Sequence, residues 1–290
     1  MMMIETKKWN VVVVTPAGRE EYLSIFKKFI YKKMEQGVVD GWQLWQNTIK
    51  PSDIAYIDSM VAENPKVTKY TIPNLEGKHN NCDTWRTCEF FKYTHIPDTI
   101  FIRFDDDIVW MEDDCIEKIV KARLENPKAF VIYPNVINST ISTSWHQASG
   151  ALGTEAGLVK QQKDNPSDPN YAYLDEFNYT DSKLIDLIHD TFKKKYEEGK
   201  LSDYYLPSRS LDDYQHFSIN SICWFGDDNV NPGSAEEPQM SWEIPALLGR
   251  PNFFVGDALI VHYAYHTQIE HLKANGQQKL EFYKELANKQ

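Results

Sequence analysis

The chain has 290 residues, of which 42% are hydrophobic, and its formal net charge is -11. This length and apolar content suffice for one large domain or two small ones, and they exclude a disordered chain. The acidic balance argues against a general nucleic-acid binder and against docking on anionic lipid by charge alone. An acidic protein that binds a phosphate ligand needs local positive charge, which a divalent cation usually supplies.

Neither the cysteines nor the N-terminal segment points to secretion. The four cysteines have no CxxC or zinc-ligand spacing and are typical of reduced, buried thiols. The apolar run near the N-terminus is too short for a signal peptide, and no stretch approaches the roughly 20 apolar residues of a membrane span. We therefore expect a soluble, cytoplasmic protein.

The first half alternates strand and helix patterns. Val11 to Val14 form a β-branched run typical of a buried parallel strand that stops at residues 15–18, and apolar residues at helical spacing follow from Tyr22 to Met34. Further strands are predicted at 41–47, 66–73, 99–104 and 130–136, and further helices at 51–62, 83–93 and 116–124. This alternation predicts an α/β fold with a mostly parallel central sheet flanked by helices.

The second half is less regular. Its polar stretch at 160–180 predicts a long surface loop, and residues 203–243 mix aromatic, glycine and acidic residues without periodicity. A helix is predicted at 184–196, a strand at 253–263, and a C-terminal helix at 268–287 with Gly276 as its weak point. We expect one fused sheet and a single domain over residues 1–290.

The sharpest chemical signal is the acidic triplet Asp105, Asp106 and Asp107, which ends the apolar strand at 99–104. Ligands of open α/β sheets bind beyond the carboxyl ends of the strands. Adjacent like charges repel unless a cation neutralises them, and alternate residues point the same way, so Asp105 and Asp107 can share one ligand. Hard oxygen ligands suit Mg²⁺ or Mn²⁺, which can bridge to a diphosphate. The alternative is a solvated acidic turn that caps the next helix.

An apolar strand that ends in Asp-x-Asp after three βα units resembles the GT-A fold of nucleotide-sugar glycosyltransferases. The likeness extends to transferases of bacterial surface polysaccharides and to those of large algal viruses, for which the location would be the host cytoplasm. It implies a Rossmann-like sheet, a donor-binding half over residues 1–140 and an irregular acceptor-binding half over residues 141–290. It also implies that Asp105 lies near the donor ribose and the metal, that Asp107 ligates the metal, and that Asp106 lies between them in the donor site.

The same resemblance places the donor nucleotide against the loop after the first strand and against the segment at 81–86. The residues that it assigns to the nucleotide are Thr15, Pro16, Ala17, Arg19, Asp83 and Arg86. Arg19 is interpreted as a diphosphate or base contact, or else as a solvated residue of the following helix.

A histidine is a frequent further metal ligand in GT-A enzymes, and it comes from the end of a late strand. His262 lies at the end of the strand predicted at 253–263, and a neutral imidazole suits Mn²⁺. His266, four residues later, is the alternative ligand. The alternative for His262 itself is a hydrogen-bonded core histidine.

Inverting enzymes of this fold need a carboxylate base for the acceptor hydroxyl, on the face of the sugar opposite the leaving diphosphate. The acidic segment near residue 236 supplies Glu237 as the first candidate and Glu236 as the second, with Asp228 third. A solvated acidic loop is the alternative interpretation. The flanking aromatic residues, which fit either sugar stacking or an ordinary core, are Trp224, Phe225 and Trp242.

The sequence therefore predicts a metal-dependent, inverting glycosyltransferase that moves a sugar from a nucleoside-diphosphate sugar, with UDP-sugar favoured, to a glycan hydroxyl. A second hypothesis is a nucleotidyltransferase that makes nucleotide sugars, although such enzymes carry a Gly-rich loop after the first strand and residues 15–22 contain one glycine. A third hypothesis is a non-catalytic glycan-binding protein. A fourth is a retaining transferase, since a fold does not fix stereochemistry.

Overall fold

The computed structural model describes residues 9–72, 84–153, 182–214, 217–228, 230–233 and 236–290, without the side chains of residues 84–86 and 140. The strands in these ranges are β1 (Asn10–Ala17), β2 (Gly41–Gln46), β3 (Val67–Tyr70), β4 (Thr99–Phe104), β5 (Ile108–Met111), β6 (Ile132–Ile137), β7 (Arg209–Leu211), β8 (Ser221–Phe225) and β9 (Asn252–His262). The longer helices are α1 (Glu20–Glu35), α2 (Pro51–Glu63), α3 (Thr84–Phe90), α4 (Cys115–Glu125), α5 (Thr140–Ala148), α6 (Ser182–Glu197), α7 (Ile269–Asn275) and α8 (Gln277–Ala287).

Shorter helical segments connect these elements. They comprise Phe91–Thr94, Leu201–Tyr204, Gly226–Asp228 and a continuous run of three segments from Glu236 to Leu248. Within the ranges described above, none of the helices combines the length and the apolar character needed to cross a membrane.

All nine strands belong to one sheet, in the order β3-β2-β1-β4-β8-β6-β9-β5, with β7 paired to β9. Six of them (β1, β2, β3, β4, β6 and β9) run in one direction, and β5, β7 and β8 run in the other. Two hydrophobic cores cover the sheet, one containing residues of α1, α4, α6 and α8, the other containing α3 and the aromatic residues beside it. This confirms the predicted α/β fold with a mostly parallel sheet flanked by helices.

The strand register gathers the site at one edge of the sheet. β1 and β4 are parallel neighbours, with Val14 opposite Arg103, so their carboxyl ends meet there. β8 begins at the same edge because it is antiparallel to β4, with Ser221 opposite Phe104. β9 also ends there, where Val261 pairs with Ile137 of β6.

β1 runs further than the sequence predicts. Its pairing with β2 continues through Pro16 and Ala17, whereas its pairing with β4 stops at Val14. Pro16 therefore pairs with β2 on one side only, beyond the last pair with β4. Proline, which lacks an N–H, is tolerated at a position of this kind. The predicted end of this strand at Val14 is therefore wrong, because Pro16 does not interrupt the pairing with β2.

The C-terminal half holds strands that the sequence pattern does not predict. β7 and β8 lie inside the stretch at 203–243 that lacks periodicity, and all five residues of β8 are buried, so no polar alternation marks it. The predicted C-terminal helix is divided at Gly276 into α7 and α8. A Cβ on Gly276 would lie 2.6 Å from the Leu272 carbonyl oxygen, so the break needs glycine. The loop predicted at 160–180 falls outside the described residues.

Candidate metal and carboxylate site

The acidic triplet forms the turn between β4 and β5. The Asp105 N–H donates to the Asn220 carbonyl at 2.9 Å, and the Asp107 carbonyl accepts from the Tyr263 N–H at 2.9 Å. These bonds tie the turn to the start of β8 and to the end of β9. Asp106 and Asp107 are only 2% and 1% exposed, so the turn is not a solvated acidic turn.

Three side chains at this turn form a group that could hold a cation. Asp105, Asp107 and His262 each offer one ligand atom, and these atoms lie within 4.8 Å of one another. Among the described residues, nothing hydrogen-bonds to the buried Oδ1 of Asp107, and a buried carboxylate oxygen without a partner is costly. Two carboxylates and one imidazole are a donor set that Mn²⁺ or Mg²⁺ accepts, so the residues fit the predicted ion.

The imidazole of His262 is oriented for this role. Its Nδ1 lies 3.1 Å from the Asn138 carbonyl oxygen, and its Nε2 lies 3.3 Å from Oδ2 of Asp107. A carbonyl only accepts, so Nδ1 carries the hydrogen and Nε2 is the nitrogen that faces the carboxylates. His266, the alternative ligand, is exposed in the turn after β9 and is not a member of the group.

The electrostatics of the group depend on Asp107. Burial alone would raise the pKa of Asp107, but the neighbouring Arg19 and His262 lower it to about 2. Burial alone would lower the pKa of His262, but Asp107 and, more weakly, Asp105 raise it above its usual value. Without a bound cation, Asp107 is thus an anion held by Arg19 and by the imidazole, and a metal would bind in competition with both.

Asp106 serves the loop between β1 and α1. It accepts hydrogen bonds from the N–H groups of Gly18 and Arg19, at 2.8 and 2.9 Å, and from the Arg19 guanidinium. Arg19 also lies 3.0 Å from Asp107, and its side chain remains 32% exposed. Gly18 is required in this loop because a Cβ would lie 2.9 Å from the Asn47 carbonyl oxygen. The loop thus brings a guanidinium to the candidate metal group.

The other residues assigned to the nucleotide are less accessible. Thr15 is fully buried, and its hydroxyl accepts a hydrogen bond from the Trp42 indole at 3.0 Å. Pro16 and Ala17 are also buried in β1. Asp83 and the side chain of Arg86 lie outside the described residues, although the backbone of Arg86 belongs to α3. These nucleotide contacts stay predictions.

A buried arginine that the sequence analysis did not single out joins the metal group to the acidic segment. Arg103 is 5% exposed, and its Nε and one terminal nitrogen lie 3.1 and 2.9 Å from Oδ1 of Asp105. Its other terminal nitrogen donates to Glu236, whose second oxygen accepts from the Thr87 hydroxyl. The signal in the sequence is a single charged residue inside an otherwise apolar strand, which needs a carboxylate partner.

Glu236 and Glu237 differ in what they can do. Both oxygens of Glu236 have partners, whereas Glu237 is partly exposed and accepts from the Ile219 N–H. Burial raises the pKa of Glu237 to about 7, with Arg103 opposing the rise and Asp105 adding to it. Burial raises the pKa of Glu236 to about 6. A carboxyl group that titrates near neutral pH is suited to general-base work.

Asp228, the third candidate base, is not brought to this edge. It follows the end of β8, and the antiparallel pairing of β8 with β4 puts that end at the opposite edge of the sheet. Its carboxylate is held there by Arg250 at 2.9 and 3.1 Å. Of the flanking aromatic residues, Trp224 and Phe225 are buried core residues, and Trp242 is partly exposed.

No protein-family model and no curated protein matches the sequence. Among solved structures, the chain is similar to the mannosyltransferase PcManGT from Pyrobaculum calidifontis in complex with GDP-Man and Mn²⁺, with 12% identity and a TM-score of 0.46 over 98% of this chain and 66% of that one. It is also similar to a CMP:2-keto-3-deoxy-manno-octonic acid synthetase complexed with CTP, with 12% identity and a TM-score of 0.43 over 94% of this chain and 99% of that one. At these values neither likeness assigns an activity or a residue role to this chain.

Proposed function

We propose that this protein is a metal-dependent glycosyltransferase that moves a sugar from a nucleoside-diphosphate sugar, with UDP-sugar favoured, to a glycan hydroxyl with inversion. The observation that carries the proposal is the convergence of Asp105, Asp107 and His262 within 4.8 Å of one another. Arg103 links this group directly to the acidic segment at Glu236. A cation site and a candidate base therefore share one edge of the sheet.

The donor diphosphate would bind at the metal group. Asp105, Asp107 and His262 would hold Mn²⁺ or Mg²⁺, and such an ion would supply positive charge against the leaving diphosphate. Arg19 would add a second positive charge, because its partly exposed guanidinium lies 3.0 Å from Asp107. Asp106 holds that guanidinium and its loop in place. The proposal keeps residues 1–140 as the donor half and residues 141–290 as the acceptor half of one domain.

The acceptor hydroxyl would be activated by Glu237. Its carboxylate takes the hydroxyl proton, the acceptor oxygen bonds to the anomeric carbon, and the bond from that carbon to the diphosphate oxygen breaks with its electron pair on the diphosphate. A single displacement of this kind inverts the anomeric centre and needs the base on the face opposite the leaving group. A Glu237 pKa of about 7 lets the same group accept the proton and release it between turnovers.

A thermal-shift panel of UDP-, GDP- and dTDP-sugars, with and without Mn²⁺, tests this function. We expect one donor to stabilise the protein only when metal is present, by about 2.7 kcal/mol at a concentration of 100 times its Kd. His262→Ala should lose this effect, and His266→Ala, at an exposed histidine four residues away, should keep it. Stabilisation by no nucleotide sugar, or equal stabilisation without metal, would contradict the proposal. Release of pyrophosphate from a nucleoside triphosphate and a sugar would favour the nucleotidyltransferase instead.

A further inference from the structure

A pair of buried amide side chains lies behind His262, on the side away from the carboxylates. Asn138, which follows β6, and Gln268, in the turn before α7, are each 2% exposed. Nδ2 of Asn138 lies 3.0 Å from Oε1 of Gln268, and Nε2 of Gln268 lies 3.3 Å from Oδ1 of Asn138. The two amides therefore bind each other reciprocally inside the protein.

This pair holds the end of β9. Nδ2 of Asn138 also lies 3.2 and 3.1 Å from the carbonyl oxygens of His262 and Tyr263. Oε1 of Gln268 accepts from the Tyr265 N–H at 2.9 Å. The backbone from the His262 carbonyl to the Tyr265 N–H is thereby fixed by the two amides.

The backbone of Asn138 fixes the imidazole itself. Asn138 has a φ of 62°, in the left-handed region that few residues other than glycine adopt. In this conformation its carbonyl accepts from Nδ1 of His262 at 3.1 Å. Asparagine tolerates the left-handed region better than other non-glycine residues and also brings an amide. One residue thus orients both the ring and the main chain of His262.

The tripeptide Asn138-Ser139-Thr140 matches the glycosylation acceptor pattern, but the structure gives its amide another role. The side chain is buried, and the nitrogen that would carry a glycan is within 3.2 Å of three acceptors. The side chain of Asn138 is therefore committed to the end of β9.

We propose that Asn138 and Gln268 are positioning residues that hold His262 so that Nε2 points at Asp105 and Asp107 as a metal ligand. This inference rests on the proposed function, because it assumes that a cation binds there. Partners of this kind behind a metal-bound histidine fix its ring orientation, and their loss typically weakens metal binding about 10–100-fold.

The test measures Mn²⁺ binding by electron paramagnetic resonance in the full-length protein. Asn138→Gly keeps the left-handed backbone and the carbonyl acceptor and removes only the amide, so we expect it to fold and to bind Mn²⁺ about 10–100-fold more weakly. Gln268→Leu removes the other amide and should weaken binding in the same direction. Spin-echo modulation from ¹⁵N-labelled histidine reports imidazole bound to Mn²⁺, and it should decrease in both variants.

Asn135→Ala is the matched control. Asn135 is also a buried asparagine of β6, and its Nδ2 donates to the carbonyls of Tyr204 and Gly256 at 2.8 Å, away from His262. This variant should lose stability but should keep wild-type Mn²⁺ affinity and histidine modulation. Equal loss of Mn²⁺ binding in Asn135→Ala would reduce the role of Asn138 to general stability and overturn the inference.

The outcomes separate this inference from the proposed function. Wild-type Mn²⁺ affinity and modulation in Asn138→Gly and Gln268→Leu would overturn the positioning role alone, provided that His262→Ala loses the modulation. If the wild-type protein binds no Mn²⁺, or if His262→Ala keeps the histidine modulation, the proposed metal site fails and the positioning role fails with it.

Discussion

Asp106 accepts hydrogen bonds from both the main chain and the side chain of Arg19, at 2.9 Å from the N–H and 2.8 Å from Nε. The middle carboxylate of the acidic triplet is thus occupied by the loop between β1 and α1. Because Asp106 is 2% exposed, its removal would leave the N–H groups of this loop without their acceptor. Asp106 is therefore a structural anchor for the guanidinium, and Asp105 and Asp107 are the carboxylates of the triplet that belong to the candidate metal group.

We expect Asp106→Ala to lower the free energy of unfolding by about 2 kcal/mol. This cost is smaller than that of removing one partner from a fully buried ion pair, because the Arg19 side chain is 32% exposed. Asp113→Ala is the control, since that carboxylate is 67% exposed beside Lys32 and its loss should cost under about 1 kcal/mol. Urea denaturation of both variants measures the difference. Equal costs would contradict the anchoring role.

Arg103 should contribute most to the free energy of unfolding at high pH. Its charge opposes the effect of burial, which raises the pKa of Glu236 to about 6 from an ordinary 4.5. A carboxyl group with a raised folded pKa binds more protons when folded, so its contribution to stability is lost as pH rises through that pKa. Arg103→Met removes the compensating charge and moves this loss to higher pH.

We therefore expect Arg103→Met to cost about 3–5 kcal/mol at pH 8 and clearly less at pH 5.5. Adding Glu236→Gln should recover part of the loss at pH 8, because it removes the uncompensated buried charge. Denaturation curves of the single and double variants at both pH values measure these effects. A cost that does not change with pH, or a double variant as unstable as Arg103→Met, would contradict the assigned pairing.

The pH dependence of transfer tests the base. Because the pKa of Glu237 in the free protein is about 7 and the base must be deprotonated, kcat/KM should rise with pH through an apparent pKa near 7. Glu237→Gln should lower kcat about 10²–10⁴-fold and remove this limb of the profile. The control is Glu243→Gln, because Glu243 lies in the same helical run and is also partly exposed. This variant should keep the wild-type kcat and the limb of the pH profile near 7. Initial rates measured from pH 5.5 to 8.5 give these profiles. A limb near pH 7 that persists in Glu237→Gln would exclude Glu237 as the base.

The parts of the fold that depend on local pattern could be predicted from the sequence. The bounds of β4 are those predicted, and α1 and α4 lie within about two residues of their predictions, because the pattern of apolar residues marks them. The candidate metal group could also be predicted from the sequence, because Asp105 and Asp107 directly follow a predicted strand. His262 could be predicted because it lies at the end of a second predicted strand, which the structure places at the same edge of the sheet.

The rest of the site depends on strand direction and on tertiary contacts. Nothing in the spacing of Asp228 and Glu237 reveals that β8 is antiparallel to β4. This strand direction puts Asp228 at the far edge of the sheet and leaves Glu237 near Asp105. The glycosylation pattern at Asn138 does not indicate the contacts that the structure gives this residue, because they come from a left-handed backbone and from Gln268, 130 residues further along the chain. These relationships are set only when the whole sheet has formed.

The central claim is that Asp107 and its neighbours bind a cation that binds the donor. Isothermal titration of UDP and GDP into the wild-type protein and into Asp107→Asn, with Mn²⁺ and with EDTA, tests it most directly. We expect one of the two diphosphates to bind the wild-type protein only with Mn²⁺, and the isosteric variant to bind it at least about 100-fold more weakly. Nucleotide binding that is equal in EDTA, or unchanged in Asp107→Asn, would contradict the account.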